Sequence, residues 1–196
     1  MEHFYLEAPS NNRKDEIIDY IDELITYKSD INGIEVLSKI LDGHSFENVL
    51  DYCLKIEKKE YAKKIGKAQV KTLLLVRKED NRIVGALNIR WNYPKITNRF
   101  IGNIGYGIRP TERRKGYNKI NLYLGLIEAE KIGLNIVKLV CETSNLGSTN
   151  TIKALGGILQ EKSIDPSDGI LTSIYYIYVN EAIKNNYESF RNFLIL

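Results

Sequence analysis

The sequence predicts one α+β (α/β) domain spanning residues 1–196, on three observations. β-rich runs of strand length occur at 69–77, 83–91 and 136–141. Stretches with apolar residues at helical spacing lie before and after them. No internal repeat, low-complexity tract or linker interrupts the 196 residues, and 43% hydrophobic content at that length suffices for one substantial core.

In chain order, His3–Glu7 reads as a short strand. Lys14–Tyr27 reads as a helix with Ile17, Ile18, Ile21, Leu24 and Ile25 on one face. Ile34, Leu37, Ile40 and Leu41 suggest a short second helix broken at Gly43. Ser45 is suited to cap a third, with Phe46, Val49, Leu50, Cys53 and Leu54 as its buried stripe. Gln69–Arg77 and Ile83–Trp91 flank the turn residues Glu79-Asp-Asn-Arg82 and form a hairpin. A loop around Pro94 leads into the strand Phe100–Ile108, punctuated by glycine. Lys119–Ile132 carries Ile120, Tyr123, Leu124 and Ile127 at helical spacing, and Ile136–Cys141 is an apolar strand. The next helix opens at Ser144 or Asn145 and ends at Gly156. Gly157–Lys162 and Ser173–Val179 close the fold as a pair of strands around Asp165-Pro-Ser-Asp-Gly169.

The densest chemical signal is Ile108-Arg-Pro-Thr-Glu-Arg-Arg-Lys-Gly-Tyr-Asn118, a strand end, a basic glycine turn and a helix start. A helix N-terminus presents unpaired N–H groups and the positive end of the helix dipole, which suits phosphate oxygens. Arg113, Arg114 and Lys115 add charge there, and Gly116 leaves the backbone open to a ligand. A second segment, Cys141-Glu-Thr-Ser-Asn145-Leu-Gly-Ser148, follows the strand ending at Cys141, with good N-cap residues at Ser144 and Asn145.

The two segments together resemble the coenzyme-binding motifs of the GNAT acyltransferases. The family's phosphate pattern is Arg or Gln, two residues, Gly, one residue, then Gly or Ala. The chain matches at Arg113 and Gly116 and departs at Asn118, whose bulk should remodel the turn slightly. The resemblance covers nearly the whole chain, with the motifs in a core of about 100–160. It implies a mixed, mostly antiparallel sheet with helices on both faces, and acetyl-coenzyme A as co-substrate. It implies that Arg113, Arg114, Lys115, Gly116, Tyr117 and Asn118 hold the pyrophosphate and that the backbone of Ile108 lies against the pantetheine. The Asn145 amide would reach toward the same arm, with Ser148 near the coenzyme. From the residues alone, Asn145 has the alternative role of a simple helix cap.

Acetyl transfer to an amine needs a positioned neutral amine, charge stabilisation on the carbonyl oxygen and a proton for the leaving thiolate. Gly105 and Gly107 bracket Tyr106 where the strand would distort most easily to offer backbone N–H groups. The proton-handling groups are where the chain departs from the family. Many members carry a Tyr seven residues after the Asn of the second motif, and here that position is Ile152. The strand Phe100–Arg109 contains no carboxylate or histidine, and Asn103 stands where an ionisable residue would have been useful. Tyr106 is the weak candidate for a catalytic acid, with packing as its alternative role. Tyr175, Tyr176 and Tyr178 read as core and face residues of the last strand.

Other residues have bland readings beside functional ones. Cys141 as nucleophile lacks a nearby His in sequence, the two histidines being His3 and His44, so a small buried hydrophobe is the simpler role. Glu142 either approaches the acceptor amine or is solvated. Trp91 and Tyr93 either wall the acceptor pocket or anchor the hairpin. Lysines between Lys55 and Lys71 are interrupted by Glu57 and Glu60 and read as a solvated face, so no nucleic-acid partner is expected. No metal cluster is legible, no apolar run reaches membrane-span length and no leader is visible, so neither metal nor membrane is expected. Two cysteines fit a cytoplasmic protein, and the abundance of Lys, Asn, Ile and Tyr hints at an AT-rich bacterial genome.

Two function classes remain. The favoured one is an N-acetyltransferase moving an acetyl group directly from acetyl-coenzyme A to an amine in a ternary complex, the acceptor being a small molecule or a peptide. A homodimer is an allowed assembly. The alternative is a non-catalytic acyl-coenzyme A-binding regulatory module, kept open by Ile152 and the empty base position.

Overall fold

The computed structural model describes residues 2–94 and 98–195. Seven strands and six α-helices follow in the order β1 (Phe4–Glu7), α1 (Lys14–Thr26), α2 (Phe46–Ile56), α3 (Lys59–Lys64), β2 (Gln69–Arg77), β3 (Arg82–Trp91), β4 (Ile104–Ile108), α4 (Tyr117–Lys131), β5 (Ile136–Glu142), α5 (Leu146–Ala154), β6 (Ile158–Ile164), β7 (Leu171–Tyr178) and α6 (Val179–Phe190). Short 3₁₀ segments include Leu37–Asp42 and Pro110–Glu112. The strands form a four-stranded antiparallel sheet, β1-β2-β3-β4, and a three-stranded antiparallel sheet, β5-β7-β6. Helices α1 and α2 cover one face of the larger sheet, through Ile17, Ile21, Val49 and Cys53 against Leu74, Val76 and Ala86. Helix α4 covers the other face and spans both sheets. The architecture is thus the helix-flanked α+β fold that the resemblance implies, with every strand pairing antiparallel and the sheet divided in two.

Most elements fall where periodicity puts them, and the departures have local causes. In α1 the buried residues are Ile17, Tyr20, Ile21 and Leu24, while Ile25 is 49% exposed. A period of 3.6 aligns 17, 20, 21 and 24, and places 18 and 25 about 100° round the axis. The region around Ile34 is an irregular loop before the 3₁₀ turn, which ends at Gly43 in the left-handed conformation. Ser45 caps α2 by accepting from the Asn48 amide, and Leu54 is exposed while Ile56 is buried in its place. Helices α3 and α6 were not expected from the sequence; α6 packs on α4 through the stacked rings of Tyr123 and Phe190, 4.7 Å apart. The strand expected over Phe100–Ile108 is confined to 104–108. Residues 98–103 instead cross toward β5, and part of the loop around Pro94 lies outside the described residues.

Asn103 carries main-chain hydrogen bonding from one sheet to the other. The Asn103 amide donates to Lys138 O at 2.7 Å, and Asn103 Oδ1 accepts from Lys138 N at 2.8 Å. Asn103 Nδ2 donates to Arg90 O at 2.9 Å. Its side chain therefore imitates a strand backbone on both sides. Gly102 permits the crossing, since a Cβ there would stand 3.0 Å from Lys138 O. Asn103 is thus a junction and not a substituted catalytic position. Beyond it β4 and β5 run on without pairing, each an edge strand of its own sheet.

Candidate functional site

The divergence of β4 and β5 opens a cleft of about 350 Å³. Its walls are Ile104, Gly105 and Tyr106 from β4 and Val140, Cys141 and Glu142 from β5. Asn145 at the cap of α5, with Ser148 and Ile152 within it, contributes a third side, and Asp30 to Asn32, Asp165 and Thr172 rim it. Arg90 N donates to Asn103 O and Arg109 N to Val84 O, so the odd-numbered residues of β4 carry the bonds to β3. The amides of Ile104, Tyr106 and Ile108 consequently face the open edge. An edge of unpaired N–H groups is a surface that a ligand carbonyl can join.

The strand β4 pairs with β3 in unbroken register, so the distortion expected around Gly105 and Gly107 is absent. These glycines make room instead. A Cβ at Gly107 would lie 2.7 Å from Asn32 O, and one at Gly33 2.4 Å from Ala86 O. Small residues on both partners let the loop 30–35 lie directly on β4, which brings Asp30 and Asn32 to the rim.

Strand β4 leads straight into the basic turn. Gly116 has φ +86° with open space on its Cβ side, and Arg114 has φ +67°. This left-handed pair swings the chain into α4, whose first amides have no partner within the helix. Arg113, Arg114, Lys115 and Gly116 are all exposed. Arg113 Nε donates to Ile108 O at 3.1 Å, which ties the turn to the end of β4. Among the described residues Arg113 and Arg114 form no ion pair. Lys115 pairs with Glu112 at 2.8 Å, and the Tyr117 ring is buried against Phe4, leaving its backbone as the part that faces the turn. Asn118 projects toward α5, with Nδ2 3.5 Å from Thr151 Oγ1 and a buried Oδ1 that has no partner among the described residues.

A buried ionic frame holds this turn from behind. Glu112 meets Arg77 at 2.9 Å, Arg82 at 3.4 Å and Lys115. Burial alone would raise its carboxyl pKa, but the Arg77 and Lys115 bonds outweigh that and hold it below the usual range. Glu23 of α1 accepts from the Thr111 amide at 2.8 Å and pairs with the fully buried Arg109, which also meets Asp19.

Asn145 caps α5, its Oδ1 accepting from the Ser148 amide at 2.9 Å. That bond leaves Nδ2 free to donate, so capping and a ligand contact are compatible. Tyr106 is 9% exposed, and its hydroxyl donates to Ser148 O at 3.4 Å. Burial pushes its phenol well above the ordinary value. Ile152 is buried in the cleft floor and offers no proton. Cys141 Sγ lies 3.8 Å from Thr149 Oγ1, and burial raises its thiol pKa. His3 is bound to Glu79 and His44 is exposed on the turn before α2, so neither activates Cys141. Glu142 is exposed on the rim, accepting from Ser144 Oγ at 3.3 Å. Trp91 packs on the core and Tyr93 donates to Gly102 O at 2.8 Å, so both anchor the hairpin side and neither lines the cleft. Sequence reasoning missed the rim residues Asp30, Asn32 and Asp165, because nothing local marks a loop residue as facing a distant strand.

Comparison with known proteins agrees with this fold. The model of the acetyltransferase (GNAT) family matches residues 40–156. No curated protein sequence matches the chain. Solved structures of the same fold include the ribosomal-protein-S5-alanine acetyltransferase from Vibrio fischeri, with TM-score 0.61, 14% identity, and coverage of 92% of this chain and 96% of that one. They include the spermidine N-acetyltransferase from Vibrio cholerae in complex with CoA and spermine, at 0.60, 11%, 92% and 98%. A third is the microcin C7 self-immunity acetyltransferase in complex with acetyl-CoA and AMP, at 0.57, 16%, 90% and 92%.

Proposed function

This chain belongs to the GNAT acetyltransferase family, and we propose that it transfers an acetyl group from acetyl-coenzyme A directly to an amine held beside it in the cleft. The observation that carries the reading is the pair of unpaired strand edges diverging from Asn103, with a basic helix-start turn at the far end of β4. A long ligand with phosphates at one end and a thioester at the other fits along that edge. Arg113, Arg114 and the backbone of residues 114–118 meet the pyrophosphate, with Lys115 tempered by Glu112. The open-edge amides of β4, Ile108 among them, meet the pantetheine and polarise the thioester carbonyl. Asn145 Nδ2 and Ser148 line the same arm. Neighbours of this fold hold acetyl-CoA or CoA, which supports the co-substrate.

The acceptor nitrogen bonds to the carbonyl carbon, the C–S bond breaks, and the thiolate takes up a proton as the nitrogen loses one. Ile152 cannot supply that proton, and the Tyr106 hydroxyl is directed at Ser148 O, so solvent or the acceptor handles it. Holding both reactants in place accounts for up to roughly 7–11 kcal/mol of the barrier. We place the enzyme in a bacterial cytoplasm, as one domain over 1–196. Among the described residues no helix is long and apolar enough to cross a membrane.

The test mixes purified protein with acetyl-coenzyme A and an amine panel and follows thiol release and acetylated product. Intersecting initial-velocity lines are expected for direct transfer. Coenzyme binding without release from any amine would select the regulatory module instead.

A further inference from the structure

We propose that Asn121 is a positioning residue for the coenzyme, its amide locking the peptide between Gly107 and Ile108 to helix α4; this rests on coenzyme binding along the open edge of β4. Asn121 is 0% exposed and is the only amide among the buried residues of α4. Its Nδ2 donates to Ala86 O at 3.0 Å and to Gly107 O at 3.3 Å. These bonds use both hydrogens of the amide and fix its orientation, since the flipped amide would set Oδ1 against two carbonyl oxygens. Ala86 and Gly107 are register partners across β3 and β4, so a side chain of α4 straddles the ladder next to the open edge.

Packing does not explain an asparagine here. Ala86 and Gly107 form a ladder pair that exchanges its own N–H bonds, so neither carbonyl needs a further donor. Asn121 Oδ1 is buried with no partner among the described residues. A leucine would fill similar space and leave no orphaned acceptor. The sheet is nonetheless shaped to receive the amide. A Cβ at Gly85 would stand 3.5 Å from Asn121 Nδ2 and 2.7 Å from Gly107 O. One at Gly125, a turn further along α4, would stand 3.0 Å from Leu87 Cδ2. The two glycines let helix and strands approach within reach of one side chain.

The amide acts on a single peptide group. Gly107 O and the Ile108 N–H belong to the same planar trans unit and point in opposite directions. The carbonyl points into the β3 ladder, and the N–H into the open edge proposed to take the coenzyme arm. A second donor on the carbonyl restrains that plane and polarises its N–H, which strengthens Ile108 as a donor. The other end of the link is α4 itself. Asn121 lies one turn in from the helix start at Tyr117, and Arg113, Arg114 and Gly116 stand just before that start. One side chain thus couples the two places that the coenzyme must touch together, the basic turn and the strand edge. A ligand that spans both gains from a fixed spacing, and a ligand that meets only the turn does not.

The experiment titrates wild type and Asn121→Leu by calorimetry with coenzyme A and with phosphoadenosine diphosphate, the coenzyme without its pantetheine arm. Thermal unfolding is followed on the same samples. The variant is expected to keep or raise Tm, because the orphaned acceptor goes while Ala86 O and Gly107 O keep their ladder bonds. Its coenzyme A affinity should fall about three- to tenfold, the worth of one hydrogen bond, and its affinity for the armless ligand less than about twofold. If Asn121→Leu does not fold, Asn121→Ser, too short to reach both carbonyls, is read by the same comparison. Equal coenzyme A affinity in wild type and variant would overturn the proposal, and with a lowered Tm would leave Asn121 as a structural clamp. An equal loss for both ligands would also overturn it, as a general disturbance of the turn. Coenzyme binding to the wild type without turnover of any amine would remove the enzyme and leave the binding comparison to decide the role of Asn121. No coenzyme A binding to the wild type would remove the reading of the edge and this inference with it.

Discussion

Tyr106 illustrates how a residue beside the chemistry can be there for packing. Its ring belongs to the core under β4, and its hydroxyl makes one long bond to a carbonyl. A dedicated general acid is worth roughly 10²–10⁴-fold. Tyr106→Phe should lower turnover less than about tenfold, and the pH profile should rise as the acceptor amine loses its proton, with no falling limb from this phenol. Burial raises the phenol, so its neutral form persists across that window and ionises only beyond it. A hundredfold loss with folding and coenzyme affinity intact would make Tyr106 the acid. Asn145→Ala should cost about 0.5–2 kcal/mol of stability through the lost cap, measured by denaturant unfolding. It should also reduce activity per folded molecule, because the Nδ2 donor proposed to meet the pantetheine goes with it. Unchanged activity per folded molecule would leave Asn145 as a cap alone.

The elements that matter most are the turn after β4 and the junction before it. Gly116 needs its left-handed backbone and faces open space, so Gly116→Glu introduces strain, bulk and negative charge where phosphates are proposed to lie. Coenzyme A binding by calorimetry should fall at least about a hundredfold while the circular dichroism spectrum persists. Wild-type affinity in a folded variant would take the turn out of the site. At the other end, Asn103→Leu removes the side-chain bonds to Lys138 N and Arg90 O. Each backbone group left without a partner costs about 1–3 kcal/mol, so a clear drop in Tm is expected, with weakened coenzyme affinity as β4 and β5 lose their fixed divergence. An unchanged Tm would mean that the sheets hold together without the clamp.

Across the whole molecule, charge is organised in layers. The Glu112 cluster and the Arg109–Glu23–Asp19 group fasten the basic turn to β2, β3 and α1, elements far apart in the chain. Breaking a buried pair costs about 3–5 kcal/mol when the remaining charge is left without a partner, and Arg77 here keeps Asp80, which puts Glu112 at the low end. Glu112→Gln should therefore lower stability at pH 7 by about 3 kcal/mol. The carboxyl is held below its usual value in the fold, so its contribution is present above the unfolded pKa of about 4.3 and lost as pH falls through the folded value. Urea unfolding of both proteins should show their gap narrowing on acidification below about pH 4. A gap independent of pH would show that the cluster acts by packing alone.

Periodicity and local chemistry are short-range properties, and they determined what short-range forces control. The hairpin β2–β3, the α2 cap at Ser45, the basic turn at Arg113–Gly116 and the Asn145 cap all stand where the residues alone place them. The same residues sufficed to identify the family. Tertiary structure decided the rest. Asn103 reads as a misplaced polar residue until Lys138 comes alongside, and Gly105 and Gly107 read as strain points until the loop 30–35 is seen lying on them. The short helix α3 was hidden in a lysine-rich run whose charge pattern suits a helix face or a loop equally. Asp30, Glu142 and Asp165 line one cleft only because two edge strands diverge and the loops after α1 and β6 close on the gap, a distance in sequence that no local pattern spans.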